Sequence, residues 1–156
     1  MAKRKKMKVV SEKMKDPNKI VVLDLVPSFN FISIVRKASE AVMLEAHAGN
    51  VQENDKTYNF VLSVEELITN VLRHGLKDTN KYSKIIIKYI FNNKKVTAIV
   101  YDKGPKYIPP KKYDLQYAME HGCGMGLHFV RTLMDEYKYI RDDENSRNIV
   151  VISKKI

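Results

Sequence analysis

The chain has a single cysteine, Cys123, among 156 residues, and no tryptophan. One thiol rules out an intrachain disulfide framework and suits a reducing compartment, so a cytoplasmic location is expected. Long apolar runs are also missing. No stretch could cross a bilayer, and residues 1–19 lack the apolar core of a signal peptide. No membrane role is expected. Acidic side chains are in deficit: 28 Lys and Arg face 18 Asp and Glu, for a formal charge of +10. The excess is uneven. Residues 1–19 hold eight basic side chains against Glu12 and Asp16, hence +6, while residues 20–156 carry only +4. No aromatic residue interleaves the basic run, as a single-stranded nucleic-acid site would need. The expectation is a flexible basic arm over 1–19, one domain over 20–156, and no direct nucleic-acid contact. Glycine and proline are scarce, at six and five, but clustered.

What is present is periodic. Ile20 to Val26 reads as a strand, with Pro27 and Ser28 at its exit. Ser28 can cap a helix over 29–47 with an apolar stripe of Phe31, Ile34, Val35, Ala38, Val42 and Leu44. A second helix is predicted over 55–74, carrying Phe60, Val61, Val64, Leu67, Ile68, Val71 and Leu72, with Gly75 as its C-cap. Lys84 to Phe91 and Val96 to Asp102 form a hairpin through Asn92–Lys95. Pro105, Pro109 and Pro110 forbid a regular element from Gly104 to about Lys112. Residues 113–121 are ambiguous between helix and loop. A helix over 127–136 follows, then a closing antiparallel pair over 137–141 and 149–153. The order predicts an α+β fold: a two-layer α/β sandwich, with a mixed, mainly antiparallel sheet and helices on one face.

Three segments can carry chemistry. Glu66, Asn70 and His74 recur every four residues, so they climb one helix face. A carboxamide oxygen such as that of Asn70 suits Mg²⁺, which takes few protein ligands beside phosphate and water. A carboxylate one turn away at Glu66 can serve as a general base. Taken alone, such a Glu and Asn are more often just an exposed helix face. Asp102 ends a strand and meets Lys103-Gly104-Pro105. Its carboxylate can accept from an adenine amine, with Gly104 allowing close backbone approach, although Asp-x-Gly turns are common. Gly122, Gly124 and Gly126 alternate before a helix, alongside Met125 and Leu127. Their amides and the helix N-terminus suit phosphate. The pattern is neither a Rossmann nor a Walker loop. His47, His121 and His128 lack metal-ligand spacing, so no zinc site is expected.

Glu66-x-x-x-Asn70, Asp102-x-Gly104 and Gly124-x-Gly126 together resemble the N, G1 and G2 boxes of the Bergerat-fold ATPases shared by gyrase, Hsp90, histidine kinases and MutL. Asp102-Lys-Gly-Pro-Lys-Tyr-Ile-Pro109 and the run Gly124-Met-Gly-Leu-His-Phe-Val-Arg-Thr-Leu-Met-Asp135 are similar to the anti-sigma-factor serine/threonine kinases, as is Asn148 opening the last strand. The resemblance spans residues 20–156. It implies ATP and Mg²⁺ as cofactors, Glu66 as general base, Asn70 as magnesium ligand and Asp102 as adenine contact. Gly104 then matches the G1 glycine and Gly122, Gly124, Met125, Gly126 and Leu127 the phosphate loop, with 106–122 as the ATP lid. It further implies a sigma factor and a STAS-domain anti-anti-sigma protein as partners. It also implies a homodimer whose partner surface lies beside the lid, to which the apolar Phe29, Phe31, Ile32, Met43 and Leu44 add support. One departure stands out: Lys106 occupies the place of a second G1 glycine found in many relatives.

Overall fold

The computed structural model describes residues 17–49, 55–75, 83–107, 114–121 and 124–156. Most of the basic arm and Gly122, Cys123, Pro109 and Pro110 lie outside the described residues. In chain order the elements are β1 (Lys19–Leu25), a 3-10 turn (Phe29–Phe31), α1 (Ile32–Ala46), α2 (Asp55–Asn70), a π turn (Val71–Gly75), β2 (Ile85–Phe91), β3 (Lys95–Asp102), α3 (Leu115–His121), α4 (Met125–Leu133), β4 (Glu136–Asp142) and β5 (Arg147–Lys155).

The sheet runs β1-β2-β3-β5-β4. Every pairing among the described residues is antiparallel, where the sequence had suggested a mixed, mainly antiparallel sheet. The β2–β3 hairpin closes as its composition requires: Asn92 Oδ1 accepts from the backbone N–H of Lys94 (2.8 Å) and Lys95 (3.1 Å). Alternation sorts the strand side chains. Ile85, Ile87, Tyr89 and Phe91 of β2, and Val96, Ala98 and Val100 of β3, point inward under the helices. There they meet Val35, Val42 and Met43 of α1, Phe60, Val64, Leu67 and Ile68 of α2, and Val130 of α4. Burying a side chain of this size stabilises by roughly 1.5–3 kcal/mol.

The core departs from the sequence reading in α1. Ser28 caps the entry as predicted, its Oγ accepting from Asn30 N at 3.2 Å. The buried stripe, however, is Val35, Ser39, Val42, Met43 and Ala46, while Ile34 and Leu44 face outward. A polar residue therefore sits on the apolar face. It is satisfied there: Ser39 Oγ donates to Val35 O (2.9 Å) and lies 2.8 Å from Tyr89 Oη. Burial pushes the Tyr89 phenol up to about 12, against the opposing Ser39 hydrogen bond. The phenol thus stays a neutral partner across the ordinary pH range. Met43, expected at a subunit surface, is fully buried in the core.

Helix limits shift for local reasons. Regular α geometry stops at Asn70, and one π turn carries the chain on to Gly75. The ambiguous stretch after the prolines is the helix α3, whose start is held by Asp114 Oδ1 accepting from Tyr117 N at 3.0 Å. Helix α4 begins two residues earlier than predicted, at Met125, and ends at Leu133, because Glu136 already pairs with Ser153 in the sheet.

No helix among the described residues covers the outer face of the sheet. That face presents Ile20, Val22, Ile86, Ile90, Ile99, Tyr101, Ile149, Val151 and Ile140, all partly or largely exposed.

Candidate functional site

One cavity of about 510 Å³ opens between the helices and the inner sheet face, a size suited to a nucleotide-scale ligand. Leu67, Asn70, Val71 and His74 of α2 and its π turn form one wall. Val100 and Asp102 of β3, with Pro105, Lys106 and Tyr107, form a second. Gly124 and Leu127, at the start of α4, form a third. Tyr137, Tyr139, Asn148 and Val150 of β4 and β5 make the floor. The three segments singled out in the sequence do converge on one place.

Their individual positions differ. Asn70 and His74 both line the cavity, as their four-residue spacing predicts. Glu66, one turn earlier, does not line it. The Glu66 carboxylate lies directly against Gly126 of α4, where an added Cβ would overlap its oxygen and come within 3.1 Å of its Cδ. Gly126 thus leaves room for the Glu66 side chain, which would have to shift if a Cβ were present. Gly124 is required by conformation: it caps α4 with φ of 78°, in the left-handed region. Met125 and Leu127 occupy the first turn of α4, half-buried. Gly122 falls outside the described residues. Lys106 is exposed at the rim and is the one Lys or Arg among the described lining residues.

Asp102 is buried, with 5% of its surface exposed, yet borders the cavity. Its Oδ1 accepts from Gly104 N at 2.7 Å and from Asn148 Nδ2 at 3.0 Å. Both bonds use one oxygen, which leaves Oδ2 to receive a donor from a ligand. Apolar walls beside a buried, oriented carboxylate fit a planar base carrying an amine. The open amides and N-terminus of α4, across the cavity, fit an anion. The donor set therefore suits an adenine nucleotide, with Asn70 the described carboxamide on the helix wall.

Little in the sequence announced the floor. Tyr137, Tyr139 and Arg141 alternate along β4, so they share its inner face, and that period-two run was the available signal. Tyr139 Oη donates to Asn148 Oδ1 at 2.7 Å and accepts from Tyr107 N at 3.0 Å. Burial raises the Tyr137 phenol, opposed by a hydrogen bond from Arg131, whose guanidinium lies 4.9 Å from the ring centre.

A profile of the histidine kinase-like ATPase domain matches residues 32–154. The chain is also similar to the serine-protein kinase RsbW of Staphylococcus aureus: the proteins of strains JH9 and Newman are each 26% identical over 117 residues, covering 70% of this chain and 71% of the relative.

Proposed function

The chain belongs to the histidine kinase-like ATPase domain family, and from that we propose that it is an ATP-dependent serine/threonine protein kinase and anti-sigma factor in a partner-switching system. Its substrate would be a hydroxyl of a STAS-domain anti-anti-sigma protein, and its other partner a sigma factor held inactive. The observation that carries the reading is the buried Asp102 carboxylate, oriented by Gly104 and Asn148 at the edge of an apolar cavity. Likeness to a serine-protein kinase supports the choice of reaction.

Bound Mg²⁺-ATP would supply the transferable phosphoryl group and the charge that neutralises it. The chain's own part is positioning. Asp102 Oδ2 accepts from the base, and Val100, Leu127 and Val150 pack its faces. Asn70 offers its carboxamide oxygen to the cation, and the amides at the start of α4 receive phosphate oxygens. Glu66 takes the proton of the attacking hydroxyl. Nucleotide state can select between partners only through different affinities in the two states. The lining of the cavity by Lys106 and Tyr107, at the start of the lid, supports such a link.

The test is transfer of labelled γ-phosphate to a STAS-domain protein from the same cell, with sigma-factor binding measured in ATP and ADP. Label on serine or threonine is the expected result. ATP binding without any transfer would replace the kinase by a nucleotide-gated binding module.

We also propose a homodimer, now on a different surface from that suggested by the sequence. The outer sheet face, uncovered by the described helices, carries apolar side chains on all five strands. Its charges, Asp24, Lys88, Lys95, Glu136, Lys138, Asp142, Arg147 and Lys155, come in both signs, as a self-complementary twofold interface needs. Light scattering at micromolar concentration is expected to give twice the chain mass. A single-chain mass, with and without ATP, would assign that face to another occupant.

A further inference from the structure

We propose that Tyr139, Arg141 and Asn148 act as one positioning unit that fixes residues 104–107 and the orientation of the Asp102 carboxylate; the nucleotide part of this rests on the function proposed above. Strand register brings the three together. Asn148 of β5 stands opposite Asp102 of β3 and opposite Arg141 of β4, so the three form one row across the inner sheet face, with Tyr139 two residues along.

The Asn148 carboxamide is the hub. Its nitrogen donates to Asp102 Oδ1 (3.0 Å), Pro105 O (3.0 Å) and, at longer range, Gly104 O (3.3 Å). Its oxygen accepts from Tyr139 Oη (2.7 Å) and Arg141 Nη1 (3.0 Å). An amide turned the other way would set its oxygen against three oxygens and its nitrogen against two donors, so only one orientation is compatible. Arg141 Nη1 also donates to Gly104 O at 2.9 Å, and Tyr139 Oη accepts from Tyr107 N at 3.0 Å.

Residues 104–107 belong to no helix or strand, so no ladder satisfies their backbone. Side chains do it instead. Gly104 N is held by Asp102, Gly104 O by Arg141 and Asn148, Pro105 O by Asn148 and Tyr107 N by Tyr139. The Tyr107 ring adds an edge contact to Tyr139 at 5.9 Å. These bonds tie the segment to the sheet, and Asp102 is tied with it. Arg141 does not line the cavity, so whatever it does for a ligand passes through Asn148 and Gly104.

Variants at two positions separate the parts. Tyr139→Phe keeps the ring contact and removes both hydroxyl bonds. In the chain without nucleotide, amide hydrogen exchange at Tyr107 is expected to rise about tenfold or more. Arg141→Met keeps the apolar stem and is expected to lower the ratio of ATP to GTP affinity roughly tenfold, with Arg141→Lys between it and the parent because one donor remains. Unchanged exchange at Tyr107 in Tyr139→Phe would overturn the brace. Faster exchange with an unchanged ATP to GTP ratio in Arg141→Met would overturn the positioning role. Faster exchange in a chain whose parent binds neither nucleotide would leave the brace standing and remove the nucleotide reading.

Discussion

Replacing Glu66 by glutamine is expected to leave ATP binding within a few-fold of the parent and to slow phosphoryl transfer roughly 10²–10⁴-fold, the range for loss of a general base. Shape is conserved, so the close packing of this side chain on Gly126 survives. Only the capacity to take a proton is lost. The same contact gives an internal comparison. Gly126→Ala keeps the carboxylate but drives a methyl group into it, so Glu66 must move or α4 must shift away from α2. Single-turnover transfer beside calorimetric ATP affinity reads both variants. A Glu66→Gln protein that phosphorylates at the parent rate would show that the carboxylate serves packing alone. The position of Glu66 outside the cavity lining makes that comparison decisive.

Asp102→Asn is expected to weaken ATP binding by about 1–3 kcal/mol, or roughly five- to 150-fold. The surroundings dictate how. Gly104 N and Asn148 Nδ2 are both donors aimed at Oδ1, so the new carboxamide must keep its oxygen there. Its nitrogen then takes the place of Oδ2 and offers a donor where the adenine amine also offers one. A base with a carbonyl at that position loses less or gains. Titration calorimetry with ATP and GTP tests both halves, and equal ATP affinity in variant and parent would remove Asp102 from the adenine contact.

Elements with one dominant period were legible from the sequence. The stripe of α2 from Phe60 to Ile68 and the alternating Ile and Tyr of β2 each match a single template. Convergence of Asn70, Asp102 and Gly124 on one cavity was legible because each sits at the end of an element. The α1 stripe was not, because Ser39 is polar in sequence and apolar in setting, its hydroxyl being absorbed by Val35 and Tyr89. The brace was invisible for another reason. Tyr139 meets Tyr107 across 32 residues and Asn148 meets Asp102 across 46. Such pairs depend on the register of β4 on β5, which no local pattern encodes. The β2–β3 and β4–β5 hairpins account for two of the antiparallel pairings, whereas β1 on β2 and β5 on β3 join strands distant in sequence, and those two were hidden.

The insertion of β5 between β3 and β4 orders events during synthesis. The last of the described strands lies inside the sheet, so β3 has no partner on one side until residues 147–155 have left the ribosome. A nascent chain that has already formed α1, α2 and the β2–β3 hairpin still lacks Asn148, Val150 and a fixed Asp102. Long-range closure of this kind is slow relative to hairpin formation. The chain therefore passes through a stage with an open strand edge and no assembled pocket, when it can be captured by a chaperone but cannot take up nucleotide. Ligand binding becomes a report that the last strand has docked.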